Sequence, residues 1–177
     1  LIFDEILSTF LINSKIRKAI KKFKKEKKIF DNDFSNNIQK RLNYELTNDQ
    51  TNALSEINKD LKSEEKMFRL LQGDVGSGKT IVALISCLNV VNSGYQVAFM
   101  APTEILAYQH YKLAQSLLKD KMKIGFLTSK TDYSERKKII NDLETSKLNI
   151  LFGTHSVFQE KISYKKLGLV VIDEQHK

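Results

Sequence analysis

The stretch Gly73-Asp74-Val75-Gly76-Ser77-Gly78-Lys79-Thr80 fits the spacing GxxxxGK[S/T] and decides how the rest of the chain is read. A short apolar run, Met67 to Leu71, precedes it, and a mostly apolar segment, Thr80 to Val91, follows. The loop is therefore expected between a strand and a helix, which is the setting such a loop requires. Its glycines let the backbone turn until successive N–H groups, from about Gly76 to Thr80, converge on phosphate oxygens at the positive end of the helix. Lys79 is then placed to reach the β- and γ-phosphates, and the Thr80 hydroxyl to ligate Mg²⁺. The plain alternative, a glycine-rich turn with an exposed lysine, gives no reason for a strand on one side and a helix on the other.

Working outward, helical and strand-like segments alternate from Tyr44 onward, the signature of a parallel sheet with crossover helices. Ala53, Leu54, Ile57 and Leu61 mark a helix, and Met67 to Leu71 a short strand. Thr80 to Val91 is a helix closed by Gly94. Gln96 to Ala101 is a strand broken at Pro102, and Leu106 to Leu118 a helix with one apolar face. Lys123 to Thr128 is a strand, and Ser134 is expected to cap a helix running to about Leu143. Leu148 to Phe152 and Leu167 to Ile172 complete the strands. The last of these is apolar at nearly every position, as expected of a central strand buried on both faces.

That last strand ends in Asp173-Glu174-Gln175-His176. In a parallel sheet the ligand crevice lies beyond the C-terminal strand ends, so Asp173 is expected beside the phosphate loop. There it can hold magnesium, and Glu174 can orient and deprotonate an attacking water. A buried strand that merely ends in polar residues is the alternative; the loop some ninety residues earlier weighs against it.

Composition agrees with this picture. The 177 residues are 41% hydrophobic, enough for one sizeable core, and carry Lys+Arg 29 against Asp+Glu 21, a formal charge of +8 that suits a polyanionic partner. No apolar run approaches the roughly 20 residues of a membrane span, so a soluble, cytoplasmic protein without a membrane partner is expected. Cys87 is alone and forms no internal disulfide, and His110, His155 and His176 make no zinc pattern with it. The chain begins at Leu1 and stops just after an acidic motif, as a piece of something longer would.

Two segments organise the chain: 1–43, a helical connector and linker, and 44–177, the main α/β lobe. Leu1 to about Ile29 has Phe3, Ile6, Leu7, Phe10, Ile16, Ile20 and Phe23 at helical spacing, with a lysine-rich second half. Such an arm either lies near nucleic acid or presents a solvated helix face. From Phe30 to Asn43 the period is lost, which marks a linker or short turns.

With both motifs in view the sequence resembles the DExH branch of superfamily 2 helicases, and within it the RecG family. Leu70-Leu71-Gln72-Gly73 through Thr80 looks like that family's motif I, Ala101-Pro102-Thr103-Glu104-Ile105-Leu106-Ala107-Tyr108-Gln109-His110 its motif Ia, Gly153-Thr154-His155-Ser156-Val157-Phe158-Gln159 its motif Ib region, and Leu167 to His176 its motif II. Leu46-Thr47-Asn48-Asp49-Gln50 is similar to the adenine-reading Q motif. The resemblance is close from Tyr44 onward and loose before it.

What the resemblance implies is an α/β, RecA-like P-loop NTPase lobe, a mostly parallel sheet flanked by helices and preceded by a helical segment. It implies ATP and Mg²⁺ as cofactors, branched or forked DNA as partner, and a second motor lobe and a wedge domain in the full-length protein. Gln50 would read adenine, although Thr47 and Gln50 also have capping-box spacing. Pro102, Thr103 and Glu104 would grip a DNA phosphate, although Thr103 is equally an N-cap. Gly153 and Thr154 would contact DNA or form a plain turn, and His176 would couple the nucleotide and nucleic-acid sites. Leu42-Asn43-Tyr44 departs from the family's Leu-Pro-Phe by losing the proline. Motif III and the arginines of a second lobe are missing from these residues, so the fragment alone is expected to bind nucleotide weakly, hydrolyse it very slowly and unwind nothing.

Related translocases of the transcription-repair coupling and primosomal types are the nearest alternatives. Their motif II typically reads Asp-Glu-Glu-Gln or Asp-Glu-Glu-His, whereas this chain has Gln175-His176. A transport or secretion ATPase, a small-molecule kinase or a non-catalytic DNA-binding module fits less well. No transporter signature or acceptor site is visible, and Lys79 and Glu174 are intact.

Overall fold

Thr47 opens the first helix, α1 (Asn48–Lys62), with a complete capping box: its hydroxyl accepts from the Gln50 N–H, and the Gln50 side chain accepts from the Thr47 N–H. Leu54, Ile57 and Leu61, spaced three and four apart, are its buried face. The computed structural model describes residues 24–30, 38–118 and 122–174. After the phosphate loop comes α2 (Lys79–Asn92), apolar almost all round and buried at ten of its positions. It ends where Gly94 takes a φ of +82°, a left-handed conformation natural to glycine.

Four strands follow: β1 (Gln96–Met100), β2 (Ile124–Leu127), β3 (Ile150–Gly153) and β4 (Leu167–Ile172). Between them lie α3 (Glu104–Leu118), α4 (Tyr133–Glu144) and a 3-10 turn at His155–Phe158 that the sequence pattern had not announced. Every pairing is parallel and the order is β2-β3-β1-β4. The expected class, an α/β lobe with a mostly parallel sheet flanked by helices, is what the chain forms.

The pleat sends Val97, Phe99, Ile150, Phe152 and Leu169 to one face, where they join Leu84, Ile85 and Leu88 of α2 and Ala114, Leu117 and Leu118 of α3. Met100, Leu127 and Leu151 point the other way and meet Ile139 and Leu143 of α4, with Val157 from the 3-10 turn. Two cores thus sandwich the sheet, and among the described residues no helix is long and apolar enough to cross a membrane.

Several expectations need correction. Met67 to Leu71 forms no strand: it pairs with none of the four, and Phe68 and Leu70 are exposed. Apolar character favours a strand but does not supply a pairing partner. What secures this segment is Arg69, whose guanidinium donates to Asp60 and Glu56 of α1. The strand β4 is not central. It sits at the edge of the sheet with β1 as its only neighbour among the described residues, so Leu167, Val170 and Ile172 are exposed despite their chemistry. The α4 helix starts two residues earlier than expected, with Asp132 at the N-cap position and Ser134 already inside.

The N-terminal helix was expected to run to about Ile29. Residues 24–30 are not helical, and Lys24 instead bridges Glu65; residues before Lys24 lie outside the described part. The Lys25 ammonium donates to the carbonyls of Leu61 and Ser63 at the end of α1, at 2.8 and 2.5 Å, where a cation also complements the helix dipole. Lys27 pairs with Glu64 at 3.1 Å. These lysines serve the lobe itself. Ile38, in the expected linker, is buried in the core, and Arg41 donates to the Leu117 carbonyl at 2.8 Å.

Candidate nucleotide-binding site

The phosphate loop turns on two glycines in the left-handed region, Gly76 at φ +82° and Gly78 at φ +78°. Ser77 donates its N–H to the Asp74 carbonyl, which closes the turn. Gly78 is the N-cap of α2 and no side chain caps that end, so the first-turn N–H groups and the positive pole of the helix face the loop. The loop from Gly73 to Ser77 is exposed. Lys79 curls over it, its ammonium donating to the carbonyls of Gly73 and Asp74 at 2.8 and 2.7 Å. Thr80 follows in the first turn of the helix, half-buried.

Gln50 reaches this loop from α1. Its Nε2 donates to the Ser77 carbonyl at 2.9 Å while its Oε1 keeps the capping box closed. A Cβ on Gly78 would lie 2.3 Å from that nitrogen. The glycine is therefore needed twice, for its backbone angle and for the approach of the glutamine. An amide offers two donors and two lone pairs, and among the described residues these bonds use one of each.

The acids arrive at the same end of the sheet. A Cβ on Gly168, at the start of β4, would meet Val90 near the end of α2 at 2.9 Å. From there β4 runs forward for 6 residues while α2, which packs along β1 and β4, runs back for 14. Both lengths are about 20 Å. The N-terminus of α2 and the C-terminus of β4 therefore lie at one end, where the Asp173 N–H donates to the Met100 carbonyl at 2.9 Å. Glu174 takes a φ of +49°, a conformation uncommon outside glycine that tends to gather at functional sites.

Asp173 has a partner that sequence reasoning missed. Nε2 of His110, a buried residue of α3, is 2.7 Å from Oδ2 of Asp173. The His110 ring also packs on Phe99, centroid to centroid 5.1 Å. A signal was present in the sequence: His110 falls between Ala107 and Ala114 on the buried stripe of α3, and a polar ring at such a position needs a partner.

The residues expected near nucleic acid share this end of the sheet. Thr103 is an N-cap, its hydroxyl accepting from the Leu106 N–H at 3.3 Å; Pro102 precedes it after the end of β1. The Glu104 carboxylate is taken by Lys130 at 2.9 Å, and the Lys130 hydrogen bond holds it below the usual carboxylate range. It holds a cation at the first residue of α3, a second contact sequence reasoning missed. Gly153 has a packing reason to be glycine, since a Cβ there would lie within 2.0 Å of the Leu127 carbonyl oxygen on β2. Thr154 leads into the 3-10 turn and is half-buried. His176 lies outside the described residues.

Among the described residues no group of three His, Cys, Asp or Glu forms a ready metal cage. Magnesium bound with a nucleotide does not need one, since phosphates and water supply most of its six oxygens.

A sequence model of the DEAD/DEAH box helicases matches residues 47–177. The chain is 44% identical over 177 residues to the ATP-dependent DNA helicase RecG of Aquifex aeolicus, covering 99% of this chain and 22% of that protein. Against the RecG of Thermotoga maritima it is 42% identical over 178 residues, covering 100% and 23%. A solved structure described as RecG bound to a three-way DNA junction superposes with a TM-score of 0.86 at 42% identity, over 92% of this chain and 22% of that one. The chain thus spans less than a quarter of the length of these relatives.

Proposed function

Because this chain belongs to the DEAD/DEAH box helicase family, we propose that it is the ATP-binding half-site of a RecG-type DNA helicase, a motor that remodels branched DNA such as stalled forks. The observation that carries this reading is that the uncapped N-terminus of α2, with its left-handed glycines, and the acidic end of β4 lie at the same end of the sheet. Identity to RecG proteins along the whole chain supports the choice within the family.

The residues present suit a nucleotide with magnesium. The N–H groups from Gly76 to Thr80 would receive the phosphates, and Lys79 would exchange two loop carbonyls for phosphate oxygens, a stronger partner for an ammonium. Thr80 and Asp173 would hold the magnesium, which neutralises charge on the phosphates when bound. Glu174 would orient the attacking water and take its proton. Gln50 holds the loop through the Ser77 carbonyl, and its remaining amide positions would face the base. On the DNA side, the N-terminus of α3 at Thr103, with Lys130 beside it, and the Gly153-Thr154 turn would hold backbone phosphates, which bind without regard to sequence.

The test uses the whole protein carrying this chain. ATP hydrolysis is followed without DNA, with linear duplex and with a three-way junction, over a range of salt concentrations. Junction DNA should stimulate most, the stimulation should fall steeply with salt, and Lys79→Ala and Glu174→Gln should abolish it. Equal stimulation by linear and branched DNA would remove the branched-DNA assignment, and no stimulation by either would remove the helicase.

A further inference from the structure

His110 lies outside every role derived so far, yet it makes the hydrogen bond that fixes the carboxylate of Asp173. A carboxylate only accepts, so Nε2 must carry the hydrogen and donate it to Oδ2. That leaves Oδ1 and the remaining lone pair of Oδ2 directed by the imidazole. The ring has little freedom of its own: it is buried, and it packs at a tilt against Phe99 on β1. His110 is also seven residues after Thr103 on the same helix, two turns or roughly 10 Å along the axis.

We propose that His110 is a positioning residue for magnesium: it holds the Asp173 carboxylate in the orientation that receives the metal, and through α3 it ties that carboxylate to the helix end offered to the DNA backbone. The inference rests on the nucleotide site proposed above. Groups that orient a metal ligand typically change metal affinity by about 10- to 100-fold when removed. A packing role alone would instead weaken the fold and lower nucleotide affinity whether or not the metal is present. The link along α3 adds a second expectation, that loosening the bond makes hydrolysis less responsive to DNA. A rigid helix transmits a displacement at Thr103 to His110, and the hydrogen bond passes it directly to the Asp173 carboxylate.

The test compares the wild-type full-length protein with His110→Phe, which keeps a ring against Phe99 and loses the donor, and with His110→Gln and His110→Asn. The Gln amide reaches the place of Nε2, whereas the Asn amide stops near that of Nδ1. A fluorescent ATP analogue is titrated in EDTA and then over a series of magnesium concentrations, and hydrolysis is measured with and without junction DNA. In EDTA all four proteins should bind alike. The magnesium needed for half-maximal tightening should rise about 10-fold or more in His110→Phe and His110→Asn and return most of the way in His110→Gln, and the ratio of DNA-stimulated to basal hydrolysis should follow the same order. Should His110→Phe not fold, the Gln and Asn pair alone decides, since both are polar and differ in reach. Equal magnesium dependence in Gln and Asn, or losses as large in EDTA as in magnesium, would overturn the proposal. A wild-type protein without DNA-stimulated hydrolysis would instead count against the helicase reading beneath it.

Discussion

Gly78→Ala is the perturbation whose cost can be worked out most fully. The residue sits at φ +78°, where an L side chain costs about 1–2 kcal/mol. Its new Cβ would stand 2.3 Å from Nε2 of Gln50, the far end of a flexible side chain, so the glutamine swings away and the backbone stays. Swinging away breaks the 2.9 Å bond to the Ser77 carbonyl, worth about 1 kcal/mol net. Gly78→Ala should therefore cost about 2–3 kcal/mol in urea unfolding of the full protein. Gln50→Ala loses that bond and its half of the capping box, about 1–2 kcal/mol. In the double variant the bond to Ser77 is lost once, not twice, so the two costs should fall short of additive by about 1 kcal/mol. Both single variants should also weaken nucleotide binding, since each loosens the loop. Strict additivity, within a few tenths of a kcal/mol, would show that Gln50 and Gly78 do not share a contact and would refute the account of the glutamine as the brace of the phosphate loop.

Other outcomes follow from single contacts. Gly153→Ala drives a Cβ against the backbone oxygen of Leu127 at 2.0 Å, which no side-chain rotation relieves; β2 and β3 must part, at a cost of about 3–4 kcal/mol read as a fall in Tm. Lys79→Ala should leave the melting temperature near wild type, because the ammonium is exposed and bonds only loop carbonyls, while DNA-stimulated hydrolysis drops on the order of 100-fold or more. Lys28 is buried beside Tyr95, and desolvation first, then the charge of Lys25, lowers its pKa from 10.5 to about 8. Between those values the unfolded chain holds a proton that the folded chain has released. Stability from this group therefore rises from about pH 8 to 10.5. Lys28→Met should raise the Tm at neutral pH and flatten the wild-type rise over that window, and an unchanged pH profile would contradict the burial assigned to this ammonium.

What the sequence disclosed and what it withheld divide along the distance between interacting residues. The phosphate loop was legible because its physics is local: glycines, a helix start and a lysine within eight positions determine one another. The capping box at Thr47 and Gln50 was legible for the same reason, and so were the four later strands and the helices between them. The parallel order followed from the alternation of elements, yet the place of each strand did not. β4 reads as a central strand from its apolar run, and Met67 to Leu71 as a short strand, but whether either finds its pairing partners depends on residues far along the chain. The same holds for the site. Asp173 and Glu174 were identified by type and by position at a strand end. The side chains that brace this end of the sheet came from far along the chain: His110 on Asp173 from 63 positions away, Gln50 on Ser77 from 27 and Lys130 on Glu104 from 26. None of these pairs has a spacing that a period of 2 or 3.6 can reveal. His110 alone left a trace, a polar ring on an otherwise buried helix stripe, and such a ring calls for a partner to be sought among the acids the topology brings to that end. Direct chemistry toward a ligand is therefore written in short motifs, whereas the bracing that gives those motifs their geometry is written in pairs that only the fold brings together. Substitutions at His110 and Gln50 should accordingly change how well the site responds to magnesium and DNA without changing which reaction it performs.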